Sequence, residues 1–412
     1  MLANMTDTLL AGVGASVAAH RRASGITQAD LAARIGRSVQ WVSAVEQGRR
    51  FADRLSDLVA IASVVGCTMD DLLGRPVDSL TTPGVHPRAG NVEGVRAVLL
   101  RSAVPASGGQ PAPDLAEVGQ RVAQAWATWH SSPTAHTALG TVLPGLLTDA
   151  LACHQEVEDR RGSSRILAGA WQVTRQWLHH LPEGDLAWIA AERAMAAARE
   201  ADDPHLIALG AWALSGSYRR AGQPEEATRL CLAAGDAIAP LLDSSHPDPG
   251  LLAAYGMLHL AAAVSAAQSD EDGRAWALHR VADDAARALG SSYDPWTAFG
   301  RGNVDIHAIA VSAALGDADA IVDNAARLDL DDMPSTHRRA CVLIDTARGF
   351  VRRGEDEAAA LVLLDAEQAS IDEVRHSPLV REMVRELLHR DRARARTHVR
   401  ALAQRIGLLA AA

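Results

Sequence analysis

At 412 residues, with 48% apolar residues and a formal net charge of −10, the chain is far larger than one small domain and must build several cores. All 40 basic residues are Arg, which excludes a Walker-type phosphate loop and a Lys Schiff base. The negative charge is unevenly spread: residues 1–75 hold eight Arg and seven Asp or Glu, a balance of +1, and the remainder therefore carries −11. A near-neutral head with clustered Arg can bind phosphates while an acidic body is held away from them.

The opening MLANMTDTLLAGVGA has no basic n-region, and no apolar run approaches the length of about 18 residues that spanning a membrane requires. A cytoplasmic protein without a membrane segment is expected. Residues 1–12 read as a lead-in to, or an extension of, a first helix. Behind it, Thr27 is a good N-cap, with Leu31, Ala32 and Ile35 giving a short apolar face. Gly36 stands where a left-handed C-cap belongs, and Ser38 opens a second short helix, Val39 to Gln47, stopped by Gly48. In that helix Val42 and Val45 point inward, leaving Val39, Gln40, Trp41, Ser43 and Ala44 to face outward or flank the packed face. A short helix with this outer surface suits a DNA major groove.

After Leu73 the helical pattern ends. Residues 76–113 read as a Pro/Gly/Thr-rich linker, interrupted by a short helix from Val92 to Leu100. From Asp114 to the end the pattern is helical, with Leu115, Val118, Val122, Trp126 and Trp129 recurring at three- and four-residue spacing. No window alternates with period two, so an all-α fold is expected throughout. A helical repeat of about 34 residues fits two segments. Leu214, Tyr218, Gly222, Ala227 and Ala234 form the first; Ala347, Phe350, Gly354, Ala359 and Ala366 form the second. A looser third surrounds Ile309, Gly316 and Ala325. Small Ala residues let paired helices approach, an aromatic fills between them, and Gly ends the first helix. An irregular helical bundle is the alternative.

Enzyme motifs are missing: no HExxH, no Gly-x-Ser-x-Gly, no glycine-rich dinucleotide loop and no metal-spaced Cys/His set. No catalytic activity, cofactor or metal is expected. His179 and His180 are adjacent and point about 100° apart on a helix, so they do not share a metal. Cys67, Cys153, Cys231 and Cys341 form no Cys-x-x-Cys and read as buried thiols in a reducing compartment. Trp126, Trp129 and Trp171 supply core volume. The repeat register puts Trp212 and Arg219 on an inner, concave face, with Asn303, His307 and Arg348 at or beside similar positions. An aromatic plus Arg suits an anionic or amphipathic ligand, and core packing is the competing reading for each residue. Near the C-terminus Val380, Val384, Leu387 and Leu388 form one apolar stripe, and Val399, Leu402, Ile406 and Leu409 a second. They read either as a dimer interface or as an end cap folded on its own chain.

The pattern Arg21, Thr27-Gln28, Leu31-Ala32, Ile35-Gly36, Ser38, Val42-Ser43, Glu46, Gly48-Arg49, then Leu58, Ile61-Ala62, Val65-Gly66, Met69 and Leu72-Leu73 resembles the Cro/repressor (XRE) helix-turn-helix family. The resemblance implies five packed helices over residues 1–75, a DNA backbone and base contact at Gln28, and base contacts at Val39, Gln40, Ser43 and Ala44. It places Arg37, Arg49 and Arg50 near phosphates, with Ser38 and Trp41 on the same surface, and pairs Arg21 with Glu46. Segments such as GDLAWIAAERAMAAAREADDP, LPGLLTDAL and VREMVRELLHRDRARA extend it to regulators of high-GC bacteria with a tetratricopeptide-like body, here 114–412, related in layout to the peptide-sensing RRNPP group. It implies a homodimeric transcriptional regulator on a palindromic operator in double-stranded DNA, responding to a peptide or small-molecule effector. A helical-repeat interaction adaptor with a DNA-binding-like head is the alternative.

Overall fold

In the computed structural model, residues 3–47, 55–67, 72, 92–101, 113–156, 158–181, 183–244, 246–330, 333 and 335–409 are described. Among them are twenty α-helices and no strand. The chain divides into two compact units near residue 86, here called head and body.

The head contains α1 (Ala3–Ala23), α2 (Gln28–Ile35), α3 (Val39–Glu46) and α4 (Leu55–Val65). Helix α2 opens with a reciprocal capping box between Thr27 and Asp30 and closes on Gly36, whose φ of 67° is a left-handed conformation that glycine adopts without strain. Ser38 then caps α3 by accepting from the Trp41 amide at 3.1 Å. Val17, Leu31, Ala32, Val42, Val45, Ile61, Ala62, Val65 and Leu72 form the core. Trp41 joins them at 3% exposure, which corrects its placement on the outward face. It shares the head's apolar cluster, and burying it contributes roughly 2–3 kcal/mol. Helix α1 approaches α3 at Gly14, where a Cβ would run into the carbonyl oxygen of Val45. Leu72 is helical and buried, whereas most of the expected fifth helix, including Met69 and Leu73, lies outside the described residues.

The body begins with α5 (Val92–Arg101), followed by α6 (Leu115–Ser131) and α7 (Ala135–Glu156). Helix α5, assigned by composition to the linker, buries Val92, Val95, Val98 and Leu99 against α7 and belongs to the body's core. Antiparallel pairs follow: α8 (Arg160–His179) with α9 (Gly184–Glu200), α10 (Pro204–Arg220) with α11 (Pro224–Ile238), and α12 (Pro249–Gln268) with α13 (Asp272–Leu289). Next come α14 (Arg301–Leu315) with α15 (Ala318–Ala325) and α16 (Thr336–Arg353) with α17 (Asp356–Ala369); α18 (Ile371–His376), α19 (Pro378–Arg390) and α20 (Arg396–Arg405) complete the body.

The first helices of successive pairs pack on one another, α6 on α8, then α10, α12, α14 and α16, and α16 returns to touch α6. These six form an inner layer that closes on itself, while α7, α9, α11, α13, α15 and α17 lie outside it. Gly222, Gly316 and Gly354 follow the ends of α10, α14 and α16 with φ of 75°, 80° and 73°, the same left-handed stop at three pairs. Ala227, Ala347, Ala359 and Ala366 are fully buried where the paired helices meet, and Tyr218 meets Trp188 edge-on at 5.0 Å. Helix α12 is long and apolar enough to cross a membrane by length and composition, which corrects the view that no stretch reaches that length. It is the central core helix: 78% of the apolar window is buried, and at Gly256 it meets the ring of Phe299 so closely that no Cβ would fit.

The two C-terminal stripes meet inside one chain. Val380, Val384 and Leu387 on α19 and Val399, Leu402 and Ile406 beside or within α20 share a core with α16 and α17, and buried Arg381 donates to the Ile406 carbonyl at 2.7 Å. Only Leu409 is exposed, at 39%. The stripes are an end cap, and their apolar surface is spent internally.

Candidate nucleic-acid interface and polar centre of the body

The outer surface of α3 is small and specific. Val39, 47% exposed, and exposed Gln40 stand in its first turn, just beyond the Ser38 cap. Ser43 and Ala44 are half-buried at the rim, and Ser43 Oγ accepts from Gln47 Nε2 at 3.1 Å. Side chains in the first turn of such a helix are the ones a groove admits deepest.

The surrounding residues hold this helix in place. Arg21 grips Glu46 with two hydrogen bonds, Nε to Oε1 at 2.5 Å and Nη2 to Oε2 at 2.9 Å, and also donates to the Ile26 carbonyl at 2.9 Å. Gln28 Nε2 donates to Glu46 Oε2 at 2.8 Å, tying α2 to the same carboxylate. Burial alone would raise the Glu46 carboxyl, but the bonds from Arg21 and Gln28 hold it below its ordinary value, and Glu46 in turn raises Arg21. Gln28 is therefore engaged internally. Arg37 is too: its guanidinium chelates Asp57 at 3.0 and 3.1 Å and lies over the Trp41 ring, 5.3 Å from the centroid. Arg37, suggested to lie near phosphates, makes this ion pair because Asp57 on α4 faces it across the turn. Arg49 and Arg50 lie outside the described residues.

In the body, three of the five candidate ligand residues, Trp212, Asn303 and His307, are buried, and Arg219 and Arg348 are half-buried. Trp212 is buried with the Arg175 guanidinium over its ring, 5.2 Å from the centroid. Arg219 donates to Ser215 Oγ and Ser265 Oγ at 3.2 and 3.4 Å. His307 shares its Nδ1 with the Asn303 carbonyl at 2.7 Å, and Asn303 reaches Met257 Sδ at 3.6 Å while its own Oδ1 is buried without a partner. Arg348 is half-buried on α16, one turn beyond Asp345, whose carboxyl burial pushes up.

Several residues that sequence reasoning did not single out complete this interior. Arg175 is 2% exposed, donates to Gln176 Oε1 and the Ala213 carbonyl, and leaves Nε unpartnered. Both polar atoms of Gln172 are buried without partners, as is Arg338 Nε. Burial, reinforced by Arg219, Arg220 and Arg338, pulls the Arg175 guanidinium down to about 9, and burial with Arg338 nearby takes His307 to about 3. Among the described residues no carboxylate pairs with Arg175, Arg219 or Arg338. Gln172 and Arg175 were hidden because α8 is buried on nearly every side, so its polar residues lack the one-sided periodicity that marks a face.

A sequence family described as helix-turn-helix domain matches residues 13–74. No curated protein and no solved structure matches the chain. The match covers the head alone, and with α2, the Gly36 turn and α3 in place, residues 13–74 are a helix-turn-helix domain of the DNA-binding kind.

Proposed function

We propose that the chain is a sequence-specific, DNA-binding transcriptional regulator whose head is of the Cro/repressor (XRE) type and whose body is tetratricopeptide-like, acting in the cytoplasm and not as an enzyme. The observation that carries this is the first turn of α3, where Val39 and Gln40 are exposed on a helix fixed by the Ser38 cap and the Arg21–Glu46 pair. A reader with so few base-facing side chains needs two half-sites for useful specificity, so the working form is a homodimer on a palindromic operator. Its interface lies elsewhere than the C-terminal stripes, which the body buries itself.

The body receives the signal. Arg175 is buried and Arg219 and Arg338 are half-buried, none of them ion-paired with a carboxylate among the described residues, and buried charge is costly unless something of opposite sign meets it. A small molecule or peptide bearing carboxylate or phosphate fits that deficit. It would shift the regulator between states only by binding one of them better.

Footprinting on the DNA around the protein's own coding region tests the first part. Protection of paired half-sites is expected, lost in Gln40→Ala; an adaptor that merely carries a helix-turn-helix fold would protect nothing.

A further inference from the structure

The inner layer closes where α6 meets α16, and next to that seam four potential metal ligands converge from three parts of the chain. His180 follows the end of α8, His337 and Cys341 lie one turn apart on α16, and Glu373 sits on α18. One ligand atom from each lies within 4.8 Å of all the others. Glu373 Oε1 stands 2.8 Å from His337 Nδ1, Glu373 Oε2 stands 3.6 Å from His180 Nδ1, and Cys341 Sγ stands 3.9 Å from the same His337 Nδ1. Ligand atoms around a tetrahedral zinc lie about 3.3–3.8 Å apart, given bonds of about 2.0–2.3 Å, so closing the set needs movements of about 1 Å.

We infer that His180, His337, Cys341 and Glu373 form a binding site for one divalent transition metal of the zinc type, which pins the end of α8 to α16 and α18 and locks the ring shut. Two neutral imidazoles, a carboxylate and a thiolate suit such an ion by softness and number. With Cys341 ionised the two negative ligands cancel the metal's charge, so the site is neutral overall; binding releases the thiol proton. His136 on α7 supplies the supporting layer: its Nε2 holds Glu373 Oε1 at 2.8 Å, an outer partner of the kind that fixes a ligand carboxylate. Trp129 packs against His136, His180 and His337 with centroids 5.2, 5.4 and 4.4 Å away, which shields the group from water.

Cobalt(II) is the probe, added to the full-length protein after chelator treatment and dialysis. One ion per chain is expected, with the visible absorption of a tetrahedral site and a near-ultraviolet thiolate-to-cobalt band. Both features should survive in a Cys67→Ser/Cys153→Ser/Cys231→Ser variant, which leaves the proposed ligands intact. Cys341→Ser should lose the thiolate band and weaken binding at least tenfold, and zinc should raise the melting temperature of the parent but not of Cys341→Ser. No cobalt uptake by the parent, no thiolate band, or a band lost in the triple variant overturns the site. If Cys341→Ser does not fold, the parent and the triple variant decide the matter between them. None of these readouts involves DNA, so the outcome is separate from that of the footprint.

Discussion

Arg21 and Glu46 illustrate how single residues set the reading helix. Their side chains are 10% and 4% exposed, so removing either strands the other charge away from water. Arg21→Ala or Glu46→Ala is expected to destabilise the head by on the order of 3 kcal/mol, with a double-mutant cycle giving a coupling well above the roughly 0–1 kcal/mol of an exposed pair. Independent, additive losses in denaturant titration would show that the pair is not coupled. Trp41 and Gln40 are neighbours with opposite expected behaviour. Trp41→Ala empties a core position and should cost about 3–5 kcal/mol of head stability. Gln40→Ala should leave stability within about 0.5 kcal/mol and weaken operator binding by roughly 1–3 kcal/mol. Thermal melting and gel-shift titration of the two variants side by side separate reading from packing.

Among the elements, the contact of α1 with α3 is the most sensitive. Gly14 has no room for a methyl group, because the obstruction is the main chain of α3 at Val45 and Glu46 rather than a mobile side chain. Gly14→Ala must push the helices apart, loosening the Arg21–Glu46 bonds, at an expected cost of about 1–3 kcal/mol. Hydrogen exchange in the full chain should report faster opening of α1 and α3 amides with α8 to α16 unchanged; unchanged protection in α3 would mean the helices tolerate the shift. The same logic governs α12, where Gly256 admits the Phe299 ring.

For the body as a whole, buried neutral histidine ties stability to pH. His307 titrates near 6.5 when unfolded and at about 3 when folded, because burial and Arg338 oppose its charge. The folded state therefore takes up fewer protons between these values. Its contribution is fully present above pH 6.5 and is lost as pH falls toward 3, at about 1.4 kcal/mol per unit, or about 2 kcal/mol by pH 5. Asp345, raised by burial, acts in the opposite sense in the carboxylate range. Urea titrations at pH 7, 6 and 5 should show falling stability in the parent and a slope shallower by about 1.4 kcal/mol per unit in His307→Gln. Equal slopes would mean that His307 does not carry the linkage.

The sequence by itself determined the parts that local chemistry governs. Thr27, Gly36 and Ser38 state where α2 and α3 begin and end, because caps and left-handed turns depend on a few adjacent residues. Gly222, Gly316 and Gly354 mark helix ends in the body for the same reason, and the absence of period-two alternation marks the fold as all-α. Tertiary structure decided which way amphipathic residues turn. Trp41 looks like an outward-facing residue until the head's core buries it, and Arg37 looks free for phosphates until α4 sets Asp57 against it. Helix α5 looks like part of a linker until α7 covers its valines. The apolar stripes of α19 and α20 look like a surface for a partner until each proves to be the other's cover. The cluster of His180, His337, Cys341 and Glu373 spans nearly two hundred residues of chain, so no spacing rule reveals it; only closure of the inner ring brings its ligands to one point.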